Sequence, residues 1–250
     1  MEREQHRLVV GLALALALVG STYIAAHSWV KVKTHVVRTI EVTGSAKRRI
    51  VSDLIRWDAR IASDGADRTA AYKNLHENVG KTLEYLKKQG LTDDELRVSS
   101  VTTQELSETQ TVGSGEDRVE RLVPRGWEAS QTISVSSSQV DKVERVSREV
   151  TSLIESGVPV TSSPPAYLYT KLGELKIEML AEASKDGRTR AERMLKSSGG
   201  GTIGKLHSAD MGVINVNPAN STSTAWDGNN DTSALEKDII TIVHVAFDID

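Results

Sequence analysis

The fold class is decided by residues 53–89, DLIRWDARIASDGADRTAAYKNLHENVGKTLEYLKKQ, where the hydrophobic period changes. From Asp53 to Ser63 apolar and charged residues alternate, which predicts a half-buried β-strand. One face of this strand carries Ile55, Trp57, Ala59 and Ile61, and the other carries Arg56, Asp58 and Arg60. From Ala66 to Gln89 apolar residues recur every three to four positions, which predicts an amphipathic helix that Gly90 ends.

Similar patterns predict strands and helices along the rest of the chain. The predicted strands cover residues 35–43, 96–112, 127–137, 202–216 and 238–249, with a short one around Tyr167 and Tyr169. The predicted helices cover residues 139–155 and 171–196. A helix, a strand, a polar tip and a returning strand follow one another twice, from residue 66 and from residue 171. We therefore predict an α+β fold: an antiparallel sheet covered by helices, built from two similar helix-strand-strand halves and preceded by one N-terminal transmembrane helix.

The composition excludes several classes of protein. With 31 Lys and Arg against 34 Asp and Glu, the formal charge is −3, which does not suit a protein that binds phosphate backbones. Four Trp, five Tyr and one Phe are too few for a surface on which nucleic acid bases stack. Because the chain has no Cys, disulfides, thiolate zinc sites, iron–sulfur clusters and cysteine nucleophiles are excluded.

Residues 8–26, LVVGLALALALVGSTYIAA, form an uncharged apolar stretch near the N-terminus. As a helix it is roughly 28 Å long, close to the hydrocarbon thickness of a bilayer. It is either a retained signal anchor or a signal peptide cleaved near Ala26. The length of the stretch, and bulky Ile24 where a small residue is preferred, favour the anchor.

These considerations predict two regions: a signal-anchor or transmembrane segment over residues 1–30 and one α+β domain over residues 31–250. Lys and Arg lie on both sides of the apolar stretch, so the positive-inside rule does not decide its orientation.

Several stretches distributed over residues 35–249 carry a family resemblance. They are IEVTGSA (40–46), ASQTISV (129–135), VDKV (140–143), PPAYLYTKL (164–172), KIEMLAEASKDGRTRAE (176–192), IGKLHSADMGV (203–213) and NDTSALEKDI (230–239). With these stretches the chain resembles the SIMPL-domain family of exported bacterial envelope proteins. The resemblance implies an α+β fold, export across the inner membrane and a tendency to self-associate. It implies no catalytic residue, because members of the family share no agreed activity.

A glycine-rich segment, Gly199 to Lys205, fits the spacing of two nucleotide-binding motifs. Those motifs need a strand before the glycines and a helix after them, because the helix N-terminus supplies the amides that bind phosphate. Here a predicted helix comes before and a strand after, and Leu206 replaces the hydroxyl residue that Mg²⁺ requires. We interpret the segment as a helix C-cap followed by a turn.

Residues 227–238 have the oxygen-bearing side chains of a calcium loop at positions 1, 3, 5, 7 and 12: Asp227, Asn229, Asp231, Ser233 and Asp238. Thr232, however, occupies the position that needs Gly, and the predicted flanks are not paired helices. We interpret the segment as a polar turn. Of the six His, no pair has the spacing of a helical zinc site, although His207 and His244 lie on strands that could be neighbours. We predict no catalytic, cofactor-binding or metal-binding residue.

Self-association has a physical basis in the length of the predicted strands. Residues 53–63, 96–112 and 238–249 are long for a small sheet, and the two edges of a sheet carry unpaired amides and carbonyls that pair with another copy. Pro124 marks an edge position or a bulge that gives partial protection.

The resulting hypothesis is a non-enzymatic, membrane-tethered envelope protein that self-associates or binds a partner; the resemblance to the SIMPL-domain family implies a role in stress tolerance or envelope maintenance. The alternatives are an unrecognised hydrolase, or a periplasmic protein that binds a ligand or lipid. The expected partners are the inner membrane, through residues 8–26, and further copies of the chain, with no nucleic acid. The expected location is the bacterial inner membrane, crossed once, with the soluble domain in the periplasm; cleavage near Ala26 would release it there.

Overall fold

The structure is a computed structural model that describes residues 2–34, 38–112, 118–223 and 225–250. Within these residues it has four α-helices and ten strands. The helices are α1 (Glu2–Thr34), α2 (Arg68–Lys88), α3 (Val140–Glu149) and α4 (Leu172–Ser198). The strands are β1 (Thr39–Val51), β2 (Leu54–Gly65), β3 (Leu96–Val98), β4 (Thr102–Val112), β5 (Val119–Ser137), β6 (Val160–Ser162), β7 (Ala166–Leu168), β8 (Ile203–Pro218), β9 (Asn229–Asn230) and β10 (Glu236–Ile249).

The strands form two sheets, where the sequence analysis describes one. The first has the order β1-β10-β8-β9, and the second has the order β3-β5-β2-β6, with β4 paired to β5 and β7 paired to β2. In the second sheet β2 and β5 pair with each other and with their other neighbours in antiparallel fashion, whereas β9 pairs with β8 in parallel. The α+β class is confirmed, and the duplication into two similar halves stays a prediction.

Some predicted elements differ from the observed ones at their boundaries. The predicted strand 96–112 is divided into β3 and β4, because the Ser99 hydroxyl takes the place of a backbone carbonyl and accepts from the Thr132 N–H at 3.0 Å. The predicted helix 139–155 changes at Val150 to a 3₁₀ helix that a left-handed Gly157 ends. The first strand begins at Thr39 and continues through Gly44, while the predicted residues 35–37 and the predicted turn 113–117 lie outside the described residues.

The chain forms two compact units. The smaller unit comprises Met1–Gly44, Lys185–Asp210 and His244–Asp250. It includes α1, in which Ala13–Val30 is long and apolar enough to cross a membrane and is not buried by the rest of the protein. A signal sequence near the N-terminus has the same properties, so the helix fits both interpretations of this segment.

The larger unit comprises Ser45–Ser184 and Met211–Val243, and its main core lies between the second sheet and helices α2 and α3. The alternation predicted for β2 is confirmed, since Trp57 and its same-face neighbours are buried while the three charged residues between them are exposed. Helix α2 buries the predicted stripe, and Asp67 caps its N-terminus by accepting from the Ala70 N–H at 2.8 Å. Burial of Trp57 is compatible with its polar atom because the indole N–H donates to Ser162 Oγ at 2.9 Å.

A two-stranded ribbon extends from the second sheet of the larger unit. Strand β2 pairs with β5 only as far as Trp127, whereas β4 pairs with β5 out to Val119. Where the ribbon begins, the register between β4 and β5 shifts next to Pro124, so the bulge alternative predicted for this proline is confirmed. Gly126 has a φ of 144°, and a Cβ there would lie 2.5 Å from the Gly65 carbonyl oxygen, so this bend requires glycine.

The positions of the edges differ from the sequence argument for self-association. Strand β10 lies between β1 and β8, and β2 lies between β5 and the short strands β6 and β7, so neither long strand is an edge. Within the described part of the chain, unpaired edges occur in both sheets: that of β1 in the first, and in the second those of β4 and, over residues 119–126, of β5. The argument for self-association rests on three long predicted strands. Of these, only the region 96–112 contains an edge strand, β4.

Candidate binding loop

Side chains of β8 and β10 hold a polar segment of the larger unit, residues 219–235 between these two strands, which we call the 219–235 loop. It contains the short strand β9, which pairs with Asn215 and Val216 of β8. Most of its residues are Asn, Asp, Ser, Thr or Gly, and Trp226 is its one aromatic residue. Such composition usually gives a mobile loop, so the contacts that fix this one determine what it can do.

Two asparagines on β8 bind the 219–235 loop through their side chains. Asn215 and Asn217 are two residues apart, so they lie on the same face of the strand, and both are buried. The Asn215 side chain accepts from the Ala225 N–H at 2.9 Å and donates to the Ala225 carbonyl at 3.3 Å. Asn217 donates to the Ser223 carbonyl at 2.6 Å and accepts from the Asn229 amide at 2.8 Å. Together with the pairing of β9 to β8, these hydrogen bonds fix the loop backbone on both sides of Trp226.

Trp226 projects from a tight turn between these two attachments. The Gly228 N–H donates to the Ala225 carbonyl at 3.2 Å, which closes a four-residue turn with Trp226 and Asp227 at its centre. Gly228 has a φ of 88°, which glycine adopts without the penalty that a Cβ brings. The Trp226 side chain is 90% exposed. The large apolar indole of Trp226 is therefore exposed to solvent, and the fixed turn keeps it there.

A buried lysine holds the end of the loop. Lys237 on β10 is 1% exposed, and its ammonium donates to the Tyr167 carbonyl at 3.0 Å, the Asp231 carbonyl at 2.5 Å and Asp231 Oδ2 at 3.3 Å. Burial alone raises the pKa of Asp231, but hydrogen bonds from Ser233, Ala234 and Lys237 lower it below its ordinary value. The buried charges are therefore paired, as burial requires.

Asp238 ties the start of the loop to β1. Its carboxylate is 1% exposed and accepts from Arg49 at 2.9 and 3.1 Å, from the Asn220 N–H at 2.8 Å, and pairs with Lys47 at 3.1 Å. The Arg49 hydrogen bond is the largest cause that holds the pKa of Asp238 well below its ordinary value; burial opposes it, and Asn220 and Lys47 lower the pKa further. Asn220 itself has a φ of 66°, a conformation that asparagine tolerates better than most residues.

The calcium-like spacing does not bring its oxygens together around one point. Asp231 faces Lys237, Asp238 faces Arg49 and Lys47, and the Asn229 amide donates to Asn217. These carboxylates already neutralise cationic side chains. Among the described residues there is no group of three or more His, Asp or Glu arranged to hold a metal ion.

The glycine-rich segment in the smaller unit has the order that the sequence predicts. Helix α4 ends at Ser198, Gly199 and Gly201 have positive φ angles of 67° and 95°, and β8 begins at Ile203. The Gly200 N–H donates to the Leu195 carbonyl at 3.1 Å, which satisfies a carbonyl of the last helical turn. The helix C-cap interpretation is confirmed.

The two histidines considered as a site lie on neighbouring strands, β8 and β10, of the smaller unit. His207 Nδ1 is 3.0 Å from Asp248 Oδ1, and His244 Nδ1 is 3.1 Å from Thr43 Oγ1. His244 lines an open groove of about 470 Å³ together with Glu41, Ser208 and Asp210. Each histidine therefore has its own hydrogen-bond partner, and His207 does not line the groove.

Sequence reasoning missed the buried Lys237, the exposed Trp226, and Asn215 and Asn217, which we call the asparagine clamps because they bind the loop. One signal for the clamps was available: Asn-Val-Asn at residues 215–217 places two amides at alternate positions of a strand next to the apolar pair Val213 and Ile214. Lys237 gave no such signal, because lysine is rarely buried without a partner that only the fold supplies.

Comparison with known proteins adds the family. Residues 40–239 match SIMPL, a family described as protein of unknown function (DUF541). This chain belongs to the SIMPL family. No curated protein matches this SIMPL chain. The de novo designed protein Foldit4 is 12% identical, with 44% of this chain and 93% of that chain covered and a TM-score of 0.25. The GlnK–ATP complex of B. subtilis is 16% identical, with 44% and 83% covered and a TM-score of 0.24.

Proposed function

We propose that this SIMPL protein is a membrane-tethered component of the bacterial cell envelope that acts by self-association and partner binding rather than by catalysis. The single observation that carries the proposal is the β4–β5 ribbon, whose outer edges are unpaired among the described residues. An isolated two-stranded ribbon is marginally stable in water, and its free amides and carbonyls are a template for another strand.

Side chains along the ribbon support the same role. Val112, Val119 and Leu122 are 58%, 64% and 71% exposed. Val112 and Val119 are cross-strand partners on one face of the ribbon, and Leu122 lies on the other face. Each of these exposed side chains would gain free energy by burial against a second copy. Apolar contact and strand pairing therefore act on the same ribbon.

Helix α1 supports the tether. Its segment Ala13–Val30 has the length and hydropathy of a membrane span, and its residues are exposed. A retained helix would hold copies in one plane and raise their effective concentration, which favours association through a weak edge.

The titratable groups of the candidate binding loop support binding over acid catalysis. A general acid at neutral pH needs a raised pKa, whereas the pKa values of Asp231 and Asp238 are lowered by the hydrogen bonds that hold the loop. Both carboxylates therefore stay ionised and act as fixed attachments. This is the arrangement of a rigid binding surface.

Sedimentation of the full chain in density-matched detergent tests the proposal. We expect a concentration-dependent mixture of monomer and a larger species at micromolar protein. A single monomeric species at every concentration would contradict self-association. Roles in stress tolerance or envelope maintenance belong to the same proposal. They are tested by deleting the gene that encodes the chain and exposing the host to osmotic or oxidative stress.

A further inference from the structure

We propose that the 219–235 loop is a carbohydrate-binding site in which Trp226 stacks against the apolar face of a pyranose ring. The inference deepens the proposed function, on which it rests for the placement of the loop outside the inner membrane. The ligand class is a polymer of β-1,4-linked amino sugars, the kind of polysaccharide that a periplasmic surface meets.

The first step is that Trp226 is held in position. Single exposed apolar residues are common on protein surfaces and usually need no explanation. Trp226 differs because the backbone is held on both sides of it. Before Trp226, the buried Asn215 and Asn217 bind the backbone of Ala225 and Ser223, and after it β9 pairs Asn229 with Asn215 of β8. The hydrogen bonds that satisfy these two buried amides hold the exposed loop. Such preorganisation lowers the entropy cost of binding.

The second step is the chemistry around the ring. The other residues of the turn and its flanks are small and polar: Ser221, Ser223, Asp227 and Asn229. No hydrogen bond or ion pair within the described part of the chain engages the Asp227 carboxylate, which is exposed beside Trp226. A protein interface usually surrounds an aromatic anchor with further apolar contacts. One aromatic face among hydroxyl, amide and carboxylate groups matches instead a ligand with an apolar face and a polar rim.

A pyranose ring has this pattern. Its axial C–H bonds form an apolar face that suits the electron-rich face of an indole, and its hydroxyl and acetamido groups lie around the rim. Asp227 would accept from sugar hydroxyls while the indole covers the ring. Loops rich in Trp, Ser, Asn and Gly are used for recognition of this mixed kind because they combine a rigid aromatic surface with adaptable polar contacts.

The experiment uses the full chain in detergent micelles and the β-1,4-linked hexamer of N-acetylglucosamine as the probe. Binding is measured by calorimetry and by tryptophan emission. We expect saturable binding by the native chain, at least about tenfold weaker binding by Trp226→Ala, and partial retention by Trp226→Phe. Tyr72→Ala is the matched control, because Tyr72 is an exposed aromatic on α2, and we expect it to bind as the native chain does.

Asn215→Ala tests whether the hydrogen bonds between Asn215 and Ala225 contribute to carbohydrate binding. This variant keeps Trp226 but releases Ala225, so we expect weaker binding with the aromatic side chain still present. Absence of binding by the native chain, or equal binding by the native chain and Trp226→Ala, overturns the proposal. If Trp226→Ala instead removes the larger species in sedimentation, Trp226 belongs to an interface between copies and the carbohydrate proposal is wrong. Loss of sugar binding with sedimentation unchanged separates this inference from the proposed self-association.

Discussion

At the scale of single residues, Asp238 is a buried carboxylate of the larger unit that two cationic side chains hold. The carboxylate is fully buried while its partners Arg49 and Lys47 remain about half exposed. Removing the charge leaves those cations free to contact water, so the cost comes mainly from the lost charged hydrogen bonds. We predict that Asp238→Asn lowers the free energy of unfolding by roughly 1.5–3 kcal/mol at pH 7.

The pH dependence of that loss follows from the lowered pKa of Asp238. An unfolded aspartate has a pKa of about 3.9, so the stabilisation is fully present above that pH and is lost as the pH falls towards the folded pKa. The difference between native and Asp238→Asn unfolding free energies should therefore shrink below about pH 4. Urea unfolding at pH 3, 4 and 7 measures it; a difference that grows in acid would contradict the assignment.

Lys237 is a buried cation that pairs with Asp231. We expect its substitution to lower the free energy of unfolding by more than Asp238→Asn does. Lys237→Met removes three hydrogen bonds and leaves the Asp231 carboxylate and the Tyr167 carbonyl without their buried partner. Breaking a buried ion pair from one side costs about 3–5 kcal/mol. Thermal unfolding of this variant should show a large decrease in Tm. Lys205→Met, at an exposed position of β8, serves as the control and should change the free energy of unfolding by about 0.5 kcal/mol or less.

At the scale of elements, the β4–β5 ribbon makes the sharpest prediction. Leu122 is 71% exposed on β5, so a charge there leaves the fold intact but opposes burial against another copy. We predict that Leu122→Lys weakens self-association of the full chain about tenfold or more, in sedimentation at micromolar protein. Ile177→Lys is the matched control, because Ile177 is 72% exposed on α4 and the substitution is the same. An equal effect of both variants would mean that charge, and not the ribbon, controls association.

Elements with a strong local pattern were predictable, and β2 and α2 are the examples. Their buried residues follow periods of two and 3.6 without help from distant residues, because each element needs only one face against the core. Strand β9 was missed, since its two asparagines have no hydrophobic pattern and pair only because β8 lies beside them. The division between β3 and β4 likewise depends on a hydrogen bond from Thr132 to Ser99, 33 residues apart in sequence.

The candidate binding loop was predictable only as a polar turn. Its fixed geometry depends on side chains of β8 and β10 that reach it from both sides, and such contacts are invisible until the strands are paired. The same spacing of acidic residues that resembles a calcium loop serves in the structure to bind Lys237, Arg49 and Lys47. The types and spacing of these acidic residues are evident in the sequence, but the cationic side chains that they bind are determined by the fold.

At the scale of the whole molecule, retention or cleavage of the N-terminal helix decides whether the protein stays attached to the membrane. We predict that residues 8–26 stay attached, so that protein extracted from host membranes has the mass of the full chain, 27.2 kDa apart from loss of the first Met. The physical reasons are the length of the apolar segment and the poor cleavage site after Ala26, where Ile24 stands at a position that prefers a small residue. A mature form that begins at His27 or later, found by intact mass spectrometry, would mean a freely periplasmic protein.

Orientation is the last prediction, and the flanking charges alone do not decide it. The Ile249 N–H donates to the Arg38 carbonyl at 2.8 Å, so the end of β10 lies beside the residue that follows α1 by only four positions. A reporter at the C-terminus therefore emerges on the same side of the membrane as the start of β1. We predict that alkaline phosphatase fused after Asp250 is active, because that enzyme needs the oxidising periplasm to form its disulfides. A green fluorescent protein at the same junction is the control: strong cytoplasmic fluorescence there, with an inactive phosphatase fusion, would place the domain on the inner side.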